Sequence, residues 1–144
     1  MELAKEKQGS VQIVVVEDDS DDALMTMRAL KKLNPPPTIK LVRDGREALD
    51  LLTGEDALVP ELVFLDLKLP KVHGLEVLRL LRENEATRSI PVAVLTSSDD
   101  PKDIARATQF GANEYIRKPI DWEEYSQALC SAAEKYIKSS VCRA

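Results

Sequence analysis

The chain has 144 residues, 44% hydrophobic and 31% charged, with a net charge of −5. That size and balance predict one globular domain with its own core, read as a reduced, cytoplasmic protein whose two cysteines, Cys130 and Cys142, form no metal motif. They exclude a broad nucleic-acid surface, which needs clustered Lys and Arg; no apolar run reaches membrane-spanning length, and the polar start "MELAKEKQGS" has no signal-peptide core.

Residues 1–10 read as an N-terminal extension, 11–138 as the domain and 139–144 as a loose tail. The first apolar run, "VQIVVV" (11–16), predicts a buried strand that ends in Glu17 and Asp18. Residues 17–22 hold five acids, as many charges as the net charge of the chain. Ser20 is the expected cap of a first helix to about Leu33, stopped by "NPPP" (34–37). Asp19, Asp21 and Asp22 are then accounted for as acids that cap and solvate a helix N-terminus. Glu17 and Asp18 precede the cap and are not.

"TIKLV" (38–42) predicts a second strand, and Asp44 with Glu47 a capping box before "ALDLL". "ELVFLD" (61–66) is a third strand, ending in Asp66, and "LEVLRLLREN" a helix after His73-Gly74. "IPVAVLT" (90–96) is a fourth strand, ending in Thr96, with Asp100-Pro101 as a cap and first helical residue behind it. "NEYIR" (113–117) is a fifth strand, followed by Lys118-Pro119 and a last helix from Asp121 to about Lys138. Trp122, just inside that helix, reads as a packing residue. The second and fifth runs are short or mixed and suit sheet edges.

Five β-α units predict an α/β fold: a parallel sheet with helices on both faces, which binds ligands beyond the carboxyl ends of its strands. Glu17, Asp18, Asp66, Thr96 and Lys118 all fall at that edge. Converging carboxylates repel one another unless protonated or neutralised by a cation, and an oxygen-only set fits Mg²⁺. A hydroxyl and an ammonium suit phosphate oxygens, and a carboxylate such as Asp66 can act as nucleophile toward phosphorus.

The pieces "VVVEDD", "LVFLDLKLPKVHG", "VAVLTSS" and "EYIRKP" resemble, in order, the receiver domain of two-component response regulators. The resemblance implies a flavodoxin-like (βα)5 fold with strand order 2-1-3-4-5. It implies that Asp66 accepts a phosphoryl group from a sensor histidine kinase. Asp18 would bind Mg²⁺ directly, Glu17 through water, with Asp66 and the Lys68 backbone carbonyl completing the protein ligands. Thr96 and Lys118 would contact the phosphoryl group, Tyr115 would be the switch aromatic, and the Lys118–Pro119 bond would be cis. "VEDDSDDALMTMRALKK" and "LVRDGREALDLL" are most similar to small stand-alone receivers paired with phytochrome-type sensors. His73 departs from the family's usual Asp, at a loop position with little expected effect.

The implied protein is a phosphoacceptor rather than an enzyme with an external substrate. It would act in the cytoplasm and signal through the face made by the fourth helix, fifth strand and fifth helix. That face also implies a homodimer. No stretch of these 144 residues is left over for a DNA-binding or other output domain. Three rivals are set against this. An aspartyl-phosphate hydrolase would want a second Asp where Lys68 stands. A flavin or nucleotide binder would want a Gly- or Ser-rich loop where the acids lie. A receiver-like interaction module without phosphorylation would not need the complete set of five site residues.

Overall fold

Ile13–Val16 (β1) is four branched residues, each with no exposed surface, as a strand covered on both faces requires. In this computed structural model, which describes residues 11–69, 71–97, 100–118, 121–137 and 141–142, β1 is joined by Ile39–Val42 (β2), Leu62–Asp66 (β3), Val92–Thr96 (β4) and Glu114–Arg117 (β5). All pairings among them are parallel, in the order β2-β1-β3-β4-β5, the flavodoxin-like order expected. β1, β3 and β4 are buried throughout, and the two mixed runs are the edges.

The helices are Ser20–Leu30 (α1), Gly45–Thr53 (α2), Gly74–Glu83 (α3), Pro101–Gln109 (α4) and Trp122–Tyr136 (α5). Alternation along each strand divides the core in two. Val14, Val16, Val63 and Leu65 pack with Leu52 of α2 and Leu78 of α3. Ile13, Val15, Leu62 and Phe64 pack with Leu30 of α1 and Leu129 of α5, and half-buried Trp122 packs against that side.

The caps follow the expected chemistry with two corrections. Asp44, Asp100 and Asp121 cap α2, α4 and α5, each accepting a backbone N–H of the first turn. The α1 cap is Asp19, not Ser20: its carboxylate accepts from the N–H groups of Asp21 and Asp22, at 2.9 and 3.0 Å. Ser20 is instead the first helical residue, and its hydroxyl accepts from Arg43 at 2.7 Å. His73 caps α3, its Nδ1 accepting from the Leu75 N–H at 3.1 Å, so the departure at this loop position is a structural part of the helix start.

α1 also ends earlier than expected, at Leu30. Leu33–Asn34 pair antiparallel with Val141–Cys142, so the tail expected to be loose is tied back to the end of α1 by a two-residue ribbon. The Asn34–Pro35 bond is cis. The one proline bond expected to be cis, Lys118–Pro119, lies outside the described residues.

Gly74 opens α3 against the end of β3. A Cβ there would stand 2.3 Å from the Asp66 carbonyl oxygen and 2.5 Å from the Leu67 Cα, backbone that has no rotamer to give. Gly74→Ala is expected to lose about 1–3 kcal/mol by forcing helix and strand apart, read as a lower urea midpoint at unchanged slope.

Candidate phosphoryl-transfer and metal pocket

The register levels the strand ends. Val16 is beside Leu65, Asp66 beside Leu95 and Thr96 beside Arg117, so the residues that follow or end β1, β3, β4 and β5 meet at one edge. Glu17 continues the β1 pairing, its N–H donating to the Val42 carbonyl at 3.0 Å, and its carboxylate has no exposed surface. Asp66 is 4% exposed, and its Oδ1 accepts the Lys68 N–H at 2.9 Å. Thr96 is fully buried, and its carbonyl accepts the Lys118 N–H at 2.7 Å, which brings the start of the β5–α5 loop over the same edge.

The Lys118 ammonium sits at the centre. It donates to Glu17 Oε1 at 2.7 Å, to Asp66 Oδ2 at 2.7 Å and to Asp22 Oδ2 at 2.8 Å. Glu17 Oε2 accepts from the Asp19 N–H at 3.2 Å. Among the described residues no buried side-chain nitrogen or oxygen lacks a hydrogen-bond partner, so the pocket is polar but internally satisfied.

Three carboxylates around one ammonium leave an excess of negative charge in a sparsely solvated place. Burial, reinforced by the neighbouring Asp66 carboxyl and opposed by Lys118, pushes the Glu17 carboxyl up to about 8. Burial works against the Lys118 charge too, but the carboxylates of Asp22, Asp66 and Glu17 outweigh it and hold the ammonium above its usual range.

A pH effect follows. Between about 4.5 and 8 the native pocket keeps a proton that Glu17 of the unfolded chain has released. Stability of the protein without divalent cation is therefore expected to fall as pH rises through that window. Asp44, Glu76 and Glu114, whose carboxyls lie below their ordinary values, act in the opposite direction only at lower pH. Urea midpoints from pH 5 to 8.5 check this, and Glu17→Gln should flatten the slope.

The sequence-predicted residues are not all brought together. Glu17, Asp66 and Lys118 are in mutual contact, with Thr96 at the same edge. The Asp18 side chain is exposed, and its backbone carbonyl accepts from Arg43 at 3.4 Å. Lys68 is exposed and touches the site through its N–H. Tyr115 stands half-buried on β5 beside Val94, lining a groove with Arg117, Glu124 and Tyr125.

The sequence places Asp22 among the acids of a solvated helix start, and the structure corrects this. Its carboxylate turns away from the cap and joins the pocket. Glu17, Asp22 and Asp66 each present an oxygen, and these three lie within 4.8 Å of one another. A donor set of carboxylate oxygens with no His or Cys is one that fits Mg²⁺.

The fold and pocket thus define a flavodoxin-like protein with an acidic, lysine-centred site at the carboxyl ends of its strands. The family model for the response regulator receiver domain matches residues 13–130. A probable methanogenesis regulatory protein of Methanothrix harundinacea, FilR2, is 38% identical over 128 residues, spanning 87% of this chain and 83% of that protein. The phosphorylated cyanobacterial phytochrome response regulator RcpA superposes with a TM-score of 0.82 at 31% identity, covering 92% of this chain and 98% of its own. The Mn²⁺-bound form of the response regulator Rcp1 superposes with a TM-score of 0.81 at 28% identity, covering 92% and 98%. The chain belongs to the response regulator receiver family of two-component signalling. No helix among the described residues is long and apolar enough to cross a membrane.

Proposed function

We propose that this protein is a single-domain response regulator that takes a phosphoryl group from a phosphohistidine of a sensor kinase onto Asp66. The observation that carries this reading is the convergence of Asp66, Glu17 and the Lys118 ammonium at one sheet edge, with 2.7 Å from the ammonium to each carboxylate. In the transfer an Asp66 carboxylate oxygen forms the new bond to phosphorus. The phosphorus–nitrogen bond of the donor breaks, and its imidazole leaves with the electron pair and is reprotonated.

Glu17, Asp18, Asp66 and the Lys68 carbonyl would hold Mg²⁺, Glu17 through water. The cation, when bound, neutralises charge on the phosphoryl oxygens. Asp18 reaches this role by turning its exposed carboxylate inward. Lys118 holds a phosphoryl oxygen from the opposite side, and the Thr96 hydroxyl another. Once Asp66 is phosphorylated, Thr96 would be drawn toward the phosphoryl group and Tyr115 would repack. That shifts the equilibrium of the α4-β5-α5 face, where a partner or a second copy would read it.

A phytochrome-type sensor kinase in the cytoplasm is the favoured donor, since RcpA serves as a phytochrome response regulator. Self-catalysed uptake from small phosphodonors and slow hydrolysis of the acyl phosphate belong to the same reading. The test is intact mass after incubation with acetyl phosphate, with and without Mg²⁺, and after exposure to a phosphorylated phytochrome-type kinase. Gain of one phosphoryl group only with Mg²⁺ is the expected result. No gain from either donor would leave a receiver-like interaction module.

A further inference from the structure

Lys118 has three N–H donors, and each is spent on a different carboxylate. Two of these partners, Glu17 and Asp66, have roles in the proposed chemistry. Asp22 has none. It stands in the first turn of α1, where its own N–H is held by the Asp19 cap at 3.0 Å. The cap fixes the backbone from which the Asp22 side chain reaches a lysine 96 residues away.

A purely dipole-complementing acid would stay in water, as exposed Asp21 does. The Asp22 side chain is instead only 29% exposed and reaches the ammonium from the open side of the pocket, while the side chains of Glu17 and Asp66, exposed to only 0% and 6%, are its buried partners. Phosphorylated Asp66 can no longer offer Lys118 the same carboxylate, and the ammonium has no fourth donor for the incoming phosphoryl oxygen. Some partner has to remain while the others change. The lysine head rides on a flexible four-carbon stem and swings into solvent unless held.

We propose that Asp22 is a positioning residue for Lys118: it anchors the ammonium over Asp66 when Glu17 and Asp66 turn to a divalent cation and a phosphoryl oxygen. This rests on the phosphoacceptor reading above. It makes α1 a part of the phosphoryl pocket rather than only a scaffold beside it. An anchor of this kind acts through charge and reach, so Glu at position 22 should serve and Ala should not.

Two readouts decide it. The first is the rate of phosphoryl uptake from acetyl phosphate at saturating Mg²⁺ for the parent chain, D22A, D22N and D22E. D22A is expected to be about 10-fold slower or more, D22N intermediate, and D22E within about threefold of the parent, because a misplaced catalytic charge costs rate steeply. The second is the ¹⁵N signal of the Lys118 ammonium with Mg²⁺ and no phosphodonor, assigned through Lys118→Arg. It is expected to persist in the parent chain and in D22E, and to be lost to solvent exchange in D22A. If D22A fails to fold by urea titration, D22N carries both readouts. Uptake within twofold of the parent, or an undiminished ammonium signal in D22A or D22N, overturns the proposal. A parent chain that takes no phosphoryl group from any donor sinks the phosphoacceptor reading instead, while the ammonium signal still decides the anchoring by Asp22.

Discussion

Asp66→Asn is expected to take up no phosphoryl group from any donor and yet to be more stable than the parent chain at pH 8. The loss of uptake follows from chemistry: an amide oxygen is too weak a nucleophile to form the acyl phosphate. The gain in stability follows from the pocket. Asp66 is one of three carboxylates sharing one ammonium, and it is among the causes that drive the Glu17 carboxyl up to about 8. Replacing it by a neutral amide removes that repulsion, leaves Lys118 paired with Glu17 and Asp22, and lets the amide nitrogen donate to a neighbouring oxygen. The expected gain is about 1 kcal/mol without divalent cation, since removal of a buried like charge relieves a cost of that order. Mass spectrometry reads the first effect and urea unfolding at pH 8 the second. Uptake by Asp66→Asn would move the phosphoacceptor elsewhere. A loss of stability would mean that the bond from the Lys68 N–H matters more than the repulsion.

Lys118→Met should do the reverse. Removing the ammonium leaves Glu17 without exposed surface and Asp66 at 4%, facing each other with no positive partner among the described residues. Breaking such a group by deleting one charge costs about 3 kcal/mol near pH 8. The deficit should shrink below about 1 kcal/mol at pH 5, where the Glu17 carboxyl, pushed up to about 8, holds its own proton and no longer needs a cation. Millimolar Mg²⁺ should recover part of the loss at pH 8, because a ligand that binds only the native state stabilises it. Paired urea titrations at the two pH values, with and without Mg²⁺, separate this from packing. A loss of equal size at both pH values would assign the effect to the lysine stem rather than to its charge.

Much of this protein was readable from the residue string, for local reasons. Continuous branched runs such as "IVVV" and "LVFL" mark doubly covered strands, because any polar residue within them would be stranded in the core. Asp44, Asp100 and Asp121 announce helix starts because capping is satisfied within a few residues of chain. Parallel strands with right-handed crossovers put every carboxyl end at one edge, so Glu17, Asp66, Thr96 and Lys118 could be grouped without knowing a single distance.

What only the tertiary structure decided depended on direction and on pairings across the chain. Glu17 and Asp18 are adjacent acids at a strand end, where consecutive side chains face opposite ways. One is therefore buried in the pocket and the other exposed, and composition cannot say which. Asp22 was already accounted for by the helix dipole, and that sufficient local reason hid a partner 96 residues distant. The tail reads as loose because two residues of ribbon carry no pattern, and their strand partner, Leu33–Asn34, falls where the sequence reads as a helix end and its proline stop. Local patterning sets which elements form and where they stop. Which carboxylate meets the lysine is set by how α1, β1, β3 and the start of the β5–α5 loop stack in space, and no segment carries that information alone.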